Sequence, residues 1–157
     1  MTHRRHFLKT AALGAAVFSL DGVTGTAARA GGKRSAVKGM PVVVSTWDFG
    51  RAANAAAWEV LKKGGRALDA VEAGVKVPEA DPNNHTIGYS GFPDRDGRVT
   101  LDACIMDEHG NCGSVAALEH VTHAISVARM VMEKTPHIML VGDGALQFAL
   151  ANGFKKE

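Results

Sequence analysis

The sequence predicts an α/β fold in which helices cover the faces of a layered sheet. Three observations predict it: a continuous β-branched run at residues 41–46, a hairpin pattern across residues 98–118, and helical periodicity on both sides of that hairpin. In chain order the predicted elements are β, α, α, ββ, α, β, α. A hairpin flanked by helix pairs is typical of a sheet with helices packed on it.

The first half of this region contains one predicted strand and two predicted helices. Residues 41–46 (P-V-V-V-S-T) form a short run centred on three consecutive valines, which is typical of a buried strand. Asn54 is placed to cap a first helix, which continues through Trp58 and Leu61 and is closed by Gly64 and Gly65. Because Trp58 falls on a helix face, we expect it to be a core aromatic residue.

A second helix begins near Ala67, and a structured loop follows it. Its predicted apolar face carries Leu68, Val71 and Val75. Pro78 and Pro82 are expected to end this helix, because proline lacks the backbone N–H that a helix interior requires. Asn, Asp, Gly and Pro dominate residues 81–97, which favours a loop.

The hairpin consists of predicted strands at residues 98–107 and 112–118, joined by a turn at 108–111. In that register Cys112 lies opposite Met106 and diagonal to Cys104, at a spacing long for a disulfide. We therefore expect Cys104 and Cys112 to be free, buried thiols.

The last third contains a helix, a strand and a final helix. Ile125, Ala128 and Met132 mark the first of these helices, and residues 137–141 the strand. The final helix follows and is expected to end at Gly153, since glycine readily adopts the left-handed conformation found after helices.

The N-terminus is expected to be a removable export leader, residues 1–30. Arg4 and Arg5, followed by x-Phe-Leu-Lys, resemble a bacterial twin-arginine signal, and Ala28-Arg29-Ala30 offers a cleavage site. The apolar stretch between them is shorter than the ~20 residues that span a bilayer. The alternative is a basic amphipathic tail. Residues 31–40 are interpreted as a flexible lead-in, and the mature protein is predicted to be periplasmic or secreted.

Charge provides no support for a nucleic-acid or membrane partner of the mature part. The whole chain has 18 basic and 16 acidic residues. The leader holds four of the basic residues and one of the acidic ones, which leaves 14 and 15 in the remainder. The basic excess therefore belongs to the leader.

Common catalytic and metal-binding motifs do not account for the sequence. The seven histidines never pair at i, i+4, and two cysteines are too few for a zinc site of their own. Residues 94–97 resemble the start of a calcium loop, but the twelfth position is Ile105 where a glutamate is needed. We predict no metal and no cofactor.

Several segments in a fixed order resemble one family. They are S-T-W-D-F-G at 45–50, G-G-R-A-L-D-A-V-E-A-G at 64–74, G-Y-S-G-F-P-D at 88–94, T-L-D-A at 100–103, I-S-V-A-R at 125–129, E-K-T-P-H at 133–137 and L-V-G at 140–142. Together they are similar to the α-subunit of glycosylasparaginases, which are type 2 asparaginases of the N-terminal-nucleophile hydrolase class. The resemblance covers nearly all of residues 41–157.

The resemblance implies an αββα sandwich, of which residues 41–157 form an incomplete domain corresponding to the α-subunit. It implies a precursor that cuts itself before a threonine, whose freed amine serves as base while its hydroxyl attacks the side-chain amide of an asparagine conjugate. That nucleophile lies in the family's β-subunit, so we expect no catalytic residue in this chain. The implied partners are a glycoasparagine or asparagine-type substrate, the β-subunit and further αβ units in a homo-oligomer.

The resemblance assigns two substrate-binding residues, Trp47 and Thr86. Trp47 corresponds to a tryptophan that lines the pocket, its alternative being a core aromatic. Thr86 stands where the family has a serine or threonine that contacts substrate. Thr86 also lies in N-H-T-I-G, which looks like the cleavage motif, but the register argues against a nucleophile there. A plain loop residue remains the other alternative.

Some residues depart from the family pattern or carry no predicted role in catalysis. Asp48 replaces a neutral residue and Ser90 replaces a glycine, which leaves substrate detail open. Asp69, Glu72 and Asp102 are interpreted as structural carboxylates.

Two functional hypotheses follow. The first is the N-terminal portion of an exported amidohydrolase that releases aspartate from N4-glycosylated asparagine; an L-asparaginase or isoaspartyl peptidase precursor is its close variant. The second is a catalytically inactive truncated product. Sheet edges that the missing strands would cover favour aggregation of such a product.

Overall fold

The computed structural model describes residues 39–157. The predicted leader and almost all of the lead-in lie outside this part, so those two predictions remain predictions. The elements are α1 (Gly50–Leu61), α2 (Ala67–Ala80), a short 3-10 helix (Gly88–Ser90), β1 (Leu101–Met106), β2 (Cys112–Leu118), α3 (Ala124–Lys134), β3 (Met139–Val141) and α4 (Gly142–Ala151). No helix in residues 39–157 has the length and apolar character needed to cross a membrane.

The three strands form one mixed sheet in the order β1-β2-β3. β1 and β2 are antiparallel, and Met106 pairs with Cys112, as the predicted hairpin register requires. β2 and β3 are parallel, with Val115 opposite Leu140. This arrangement confirms the predicted α/β character.

Helix α3 covers one face of the sheet. Ile105 and Val115 point into the core, where they join Val127, Val131 and other buried side chains. The approach is close at Gly113, because a Cβ built there would lie 2.3 Å from the carbonyl oxygen of Ala128. Only glycine allows the helix backbone to come so near the strand.

The opposite face of the sheet is open among the described residues. Met106, Met139 and Val141 are 62%, 53% and 56% exposed. They belong to the two edge strands, whose side chains alternate between the faces. The apolar area on this face is therefore available for packing.

The predicted strand at residues 41–46 is wrong for the described structure, where this segment is irregular. Val42 and Val44 are 79% and 84% exposed, so the expectation of burial fails as well. A strand forms only where its backbone groups bond to a neighbouring strand. No strand within residues 39–157 pairs with this segment.

Helix α1 begins four residues before the predicted cap. The N–H groups of Gly50 and Arg51 donate to the carbonyl oxygens of Trp47 and Asp48, so helical bonding has started before Asn54 is reached. Asn54 lies within the helix, and its Oδ1 accepts the hydroxyl of Ser45 at 2.5 Å. The predicted cap is therefore wrong.

Helices α1 and α2 pack through small side chains. A Cβ built at Gly74 would lie 2.9 Å from the carbonyl oxygen of Ala53, and Ala57 is buried in the same contact. This contact leaves Trp58 42% and Val71 47% exposed. The prediction of a core position for Trp58 is therefore wrong.

Helix α2 continues past Pro78, one of the two prolines predicted to end it. Pro78 is buried inside the helix, which ends at Ala80. Asp81 is extended, with φ −75° and ψ 115°. A residue before proline prefers this extended conformation, so Pro82 ends the helix by disfavouring a helical conformation at Asp81.

Candidate functional site

The loop after α2 presents the predicted substrate residue Thr86. Asn84, only 7% exposed, directs its side-chain oxygen at Thr86. That oxygen accepts the backbone N–H of Thr86 at 3.0 Å and its hydroxyl at 2.6 Å. Asn side chains commonly bond two residues ahead in turns, so the sequence N-N-H-T itself creates a local support for the threonine.

Two hydrogen bonds and one contact between rings also stabilise this loop. The Nδ1 atom of His85 lies 3.2 Å from the carbonyl oxygen of Ser90, and the N–H of Phe92 donates to the carbonyl oxygen of His85 at 3.0 Å. The rings of His85 and Phe92 are 5.4 Å apart. The loop thus closes on itself on both sides of Thr86.

Gly88 holds this loop against the end of α2. Its φ is +69°, a left-handed conformation that side chains other than glycine rarely adopt. A Cβ at this position would lie 2.0 Å from the carbonyl oxygen of Glu79. Both the conformation and the close approach require glycine here.

Thr86 borders a cleft of about 420 Å³. The wall opposite the loop comes from β1, which contributes Asp102 and Cys104. Leu101 and Ala103 supply apolar surface, and the end of α2 and the start of α3 complete the lining. A mainly apolar concave surface with a few convergent polar groups is typical of a small-molecule site.

A buried carboxylate, Glu79, lies at this cleft. It is 3% exposed, and its Oε1 accepts the N–H of Ile125 in the first turn of α3 at 2.9 Å. Its Oε2 lies 3.1 Å from Nδ1 of His123. Burial raises the pKa of Glu79 above its ordinary value of 4.5, and these two hydrogen bonds oppose that shift only in part.

Asp102 supports an irregularity in the sheet. The β1–β2 register shifts between Leu101 and Ala103. The Oδ1 atom of Asp102 accepts the N–H of Ala117 at 2.8 Å, and Ala117 has a left-handed φ of 49°. The carboxylate thus replaces a ladder bond at a bulge, which fits the structural role predicted for it.

The other two carboxylates interpreted as structural, Asp69 and Glu72, bind one arginine. Each lies 2.7 Å from Nη1 of Arg129. Burial opposes the charge of Glu72, but the hydrogen bonds from Ser126 and Arg129 outweigh it and lower the pKa of Glu72. These contacts join α2 to α3, and they support the predicted structural roles.

Trp47 lies apart from the cleft of Thr86. It sits in the turn at residues 45–50, where Gly50 approaches Ser45 so closely that an added Cβ would lie 2.3 Å from the serine Cβ. The indole is 70% exposed, and Trp47 is not among the residues that line the Thr86 cleft. The substrate roles of Trp47 and Thr86 therefore stay predictions, and the described residues do not bring the two into one cleft.

Both cysteines are free, as predicted, but they are not both buried. Cys104 is exposed and Cys112 is half-buried. Cys104 lies on the open face of the edge strand β1, where the prediction of burial overlooked the lack of a covering layer. Cys104 is also among the residues that line the Thr86 cleft.

Neither Asn84 nor Glu79 was predicted from the sequence as a site residue. The only available signal for Asn84 was its position two residues before Thr86, which suits an Asx-type turn. Glu79 carried no signal, because its burial depends on α3, which is distant in sequence.

The chain is similar in sequence to the members of one known protein family. Residues 23–157 match the family model Asparaginase_2, described as asparaginase. An N(4)-(Beta-N-acetylglucosaminyl)-L-asparaginase from Elizabethkingia miricola is 69% identical over 117 residues, which are 74% of this chain and 34% of that relative. Proteins with the same name from Mus musculus and Rattus norvegicus are 48% and 47% identical over 119 residues, which are 75% of this chain and 34% of each relative. The chain thus spans about a third of the length of these curated relatives.

Proposed function

Since this chain belongs to the asparaginase family, we propose that it is the N-terminal portion of a precursor amidohydrolase that releases aspartate from N4-glycosylated asparagine. The observation that carries the proposal is the 69% identity, over 117 residues, to a relative named for that activity. Relatives named N(4)-(beta-N-acetylglucosaminyl)-L-asparaginase come from both a bacterium and a mammal. Enzymes of this name are amidohydrolases, which act on carbon–nitrogen bonds.

In this proposal the chain provides substrate contacts and scaffold. Thr86 offers a hydroxyl at the border of a cleft of about 420 Å³, and Trp47 offers an exposed indole that can cover an apolar part of a ligand. The nucleophile is a threonine in a segment that follows residue 157 in the full-length protein. Its freed amine accepts the hydroxyl proton as the hydroxyl oxygen attacks the carbonyl carbon of the side-chain amide. The amide C–N bond then breaks, and the amine leaves with that proton. Water hydrolyses the resulting ester of the acyl-enzyme, which releases aspartate and restores the threonine hydroxyl.

The open sheet face suggests how the full-length protein is completed. The exposed Met106, Met139 and Val141 offer apolar area on the face opposite α3. Two sheets commonly stack with such faces together at a separation of roughly 10 Å. We propose that strands of the β-subunit form this second sheet, which gives the αββα sandwich, and that αβ units associate further.

Export is a separate part of the proposal. The twin arginines Arg4 and Arg5 and the small-residue site at 28–30 support a leader that directs the protein to the periplasm or the exterior. Fusion of residues 1–30 to a reporter that works only after export tests it. Replacement of Arg4 and Arg5 by lysine is expected to stop export, and unchanged export of that variant would refute the twin-arginine route.

Self-cleavage tests the precursor proposal. The full-length protein, purified and incubated, is expected to separate into two pieces, the second of which begins with threonine. N-terminal sequencing of the smaller fragments identifies the cut. A protein that stays intact, or a cut before Thr86, would contradict the proposal.

A second candidate is an L-asparaginase or isoaspartyl peptidase, which the family's description as asparaginase favours. Side-by-side assays of the full-length protein with GlcNAc-Asn, asparagine and a β-aspartyl dipeptide distinguish these activities. The primary proposal requires the highest kcat/KM for GlcNAc-Asn. A higher value for either other substrate would select the second candidate.

A further inference from the structure

We propose that Asn84 is a positioning residue for Thr86. Asn84 holds the threonine hydroxyl in one orientation and accepts its only proton in a hydrogen bond. This inference rests on the proposed function, because it concerns the hydroxyl that faces the substrate cleft. Asn84 itself is not among the residues that line the cleft. It therefore acts through Thr86 and touches no substrate.

The hydrogen bonds define which way the Asn84 amide points. The backbone N–H of Thr86 can only donate, so the atom 3.0 Å from it must be the amide oxygen. The same oxygen lies 2.6 Å from Oγ1 of Thr86 and can only accept. The single hydroxyl proton of Thr86 therefore points at Asn84, and its lone pairs remain for the cleft.

This commitment restricts the chemistry of what binds. A cleft group that bonds to the Thr86 hydroxyl must bring the hydrogen itself, as an ammonium, an amide N–H or a hydroxyl does. A carboxylate can only accept hydrogen bonds, so it forms none with the Thr86 hydroxyl, whose proton is already donated to Asn84. Asn84 thus sets the hydrogen-bond polarity of the site.

The neighbouring turn at Asp81 shows how Asn84 differs. The Oδ1 atom of Asp81 accepts both the backbone N–H and the side-chain Nδ2 of Asn83, at 2.9 and 3.3 Å, but these bonds are exposed and engage no hydroxyl. Asn84 is also buried while its Nδ2 has no hydrogen-bond partner among the described residues. A buried unpartnered donor disfavours folding, so stability alone does not explain an asparagine here.

A double-mutant cycle in the full-length protein tests the proposal with GlcNAc-Asn as substrate. Asn84→Ala is expected to lower kcat/KM about tenfold, as for the loss of a well-placed hydrogen bond. In a Thr86→Val background the same substitution is expected to have no further effect, because the hydroxyl it positions is gone. If the fold losses in kcat/KM of the two single variants multiply in the double variant, the two residues act independently and the proposal is overturned.

Asn84→Asp is the conservative rescue, since a carboxylate oxygen accepts both hydrogen bonds. It is expected to keep kcat/KM within about twofold of the wild type, and a loss as large as that of alanine would overturn the proposal. This variant decides the matter if Asn84→Ala does not fold. The neighbouring Asn83→Ala is the matched control and is expected to change little.

Failure of the proposed function looks different from failure of this inference. If the wild type releases no aspartate, the proposed function is wrong and no cycle can be built from activity. The contact is then measured by amide exchange at Thr86, which is expected to accelerate in Asn84→Ala and to stay slow in Asn83→Ala. Equal exchange in the two variants would overturn the positioning role.

Discussion

The carboxylate of Glu79 accepts the backbone N–H of Ile125 at 2.9 Å and so joins the last turn of α2 to the first turn of α3. The Thr86 loop packs against this junction, because Gly88 lies close to the backbone of Glu79. Negative charge near a helix N-terminus is favourable, whereas burial of the carboxylate is not. The cleft therefore depends on a carboxyl group whose charged form is disfavoured by burial.

The raised pKa of Glu79 predicts a specific pH dependence of stability. A carboxyl group with a folded-state pKa above 4.5 contributes stability that is present below that value and is lost as pH rises through the folded pKa. The free energy of unfolding of the wild type relative to Glu79→Gln is therefore expected to fall as pH increases from about 4 to about 7. Urea denaturation of the full-length protein at several pH values measures it, and a difference that rises with pH would contradict the account.

Substitution of Gly88 tests the contact between the loop and α2. Gly97 is the matched control, because its φ of +81° is also left-handed but an added Cβ meets nothing within 4 Å. Gly97→Ala is expected to cost about 1 kcal/mol, the conformational part alone. Gly88→Ala is expected to cost ~1–3 kcal/mol more, because it also forces the loop off Glu79. Equal costs in thermal denaturation would show that the loop does not pack there.

Gly113 tests the approach of α3 to β2. Gly113→Ala places a methyl group 2.3 Å from the carbonyl oxygen of Ala128, so a loss of ~1–3 kcal/mol is expected. Gly144, in α4, has open space around it, and Gly144→Ala is expected to be neutral or to stabilise by up to about 1 kcal/mol. Urea denaturation of both variants provides the measurement. A harmless Gly113→Ala would contradict the close helix–sheet packing.

The exposed thiol of Cys104 tests whether a second sheet covers the open face. In the described residues this thiol is accessible. If the β-subunit strands stack there, N-ethylmaleimide is expected to modify Cys104 of the folded full-length protein slowly and that of the urea-unfolded protein fast. Cys104→Ser identifies the labelled site by its loss. Rapid labelling of the folded protein would refute the stacking.

Local chemistry in the sequence predicted much of the fold. The hairpin register follows from the turn, where Oδ1 of Asp107 accepts the N–H groups of both His109 and Asn111. The return strand therefore begins at Cys112, as predicted. The irregular segment at 41–46 shows the limit, because a β-branched run becomes a strand only beside a pairing partner.

The candidate site was predicted less completely than the fold. Thr86 was identified through the family resemblance, and the structure adds the Asn84 contact that gives its hydroxyl a direction. Glu79 was not predicted, since it meets His123 and Ile125 only after α2 and α3 pack. Burial of a single polar residue leaves no periodic signal in the sequence.

The proposed amidohydrolase activity is best measured as aspartate release by the full-length protein from GlcNAc-Asn. Steady release is expected from the wild type, with a loss of about tenfold or more in kcat/KM for Thr86→Val and no change for Asn83→Ala. If a folded, self-cleaved wild-type protein releases no aspartate, the proposed function is wrong.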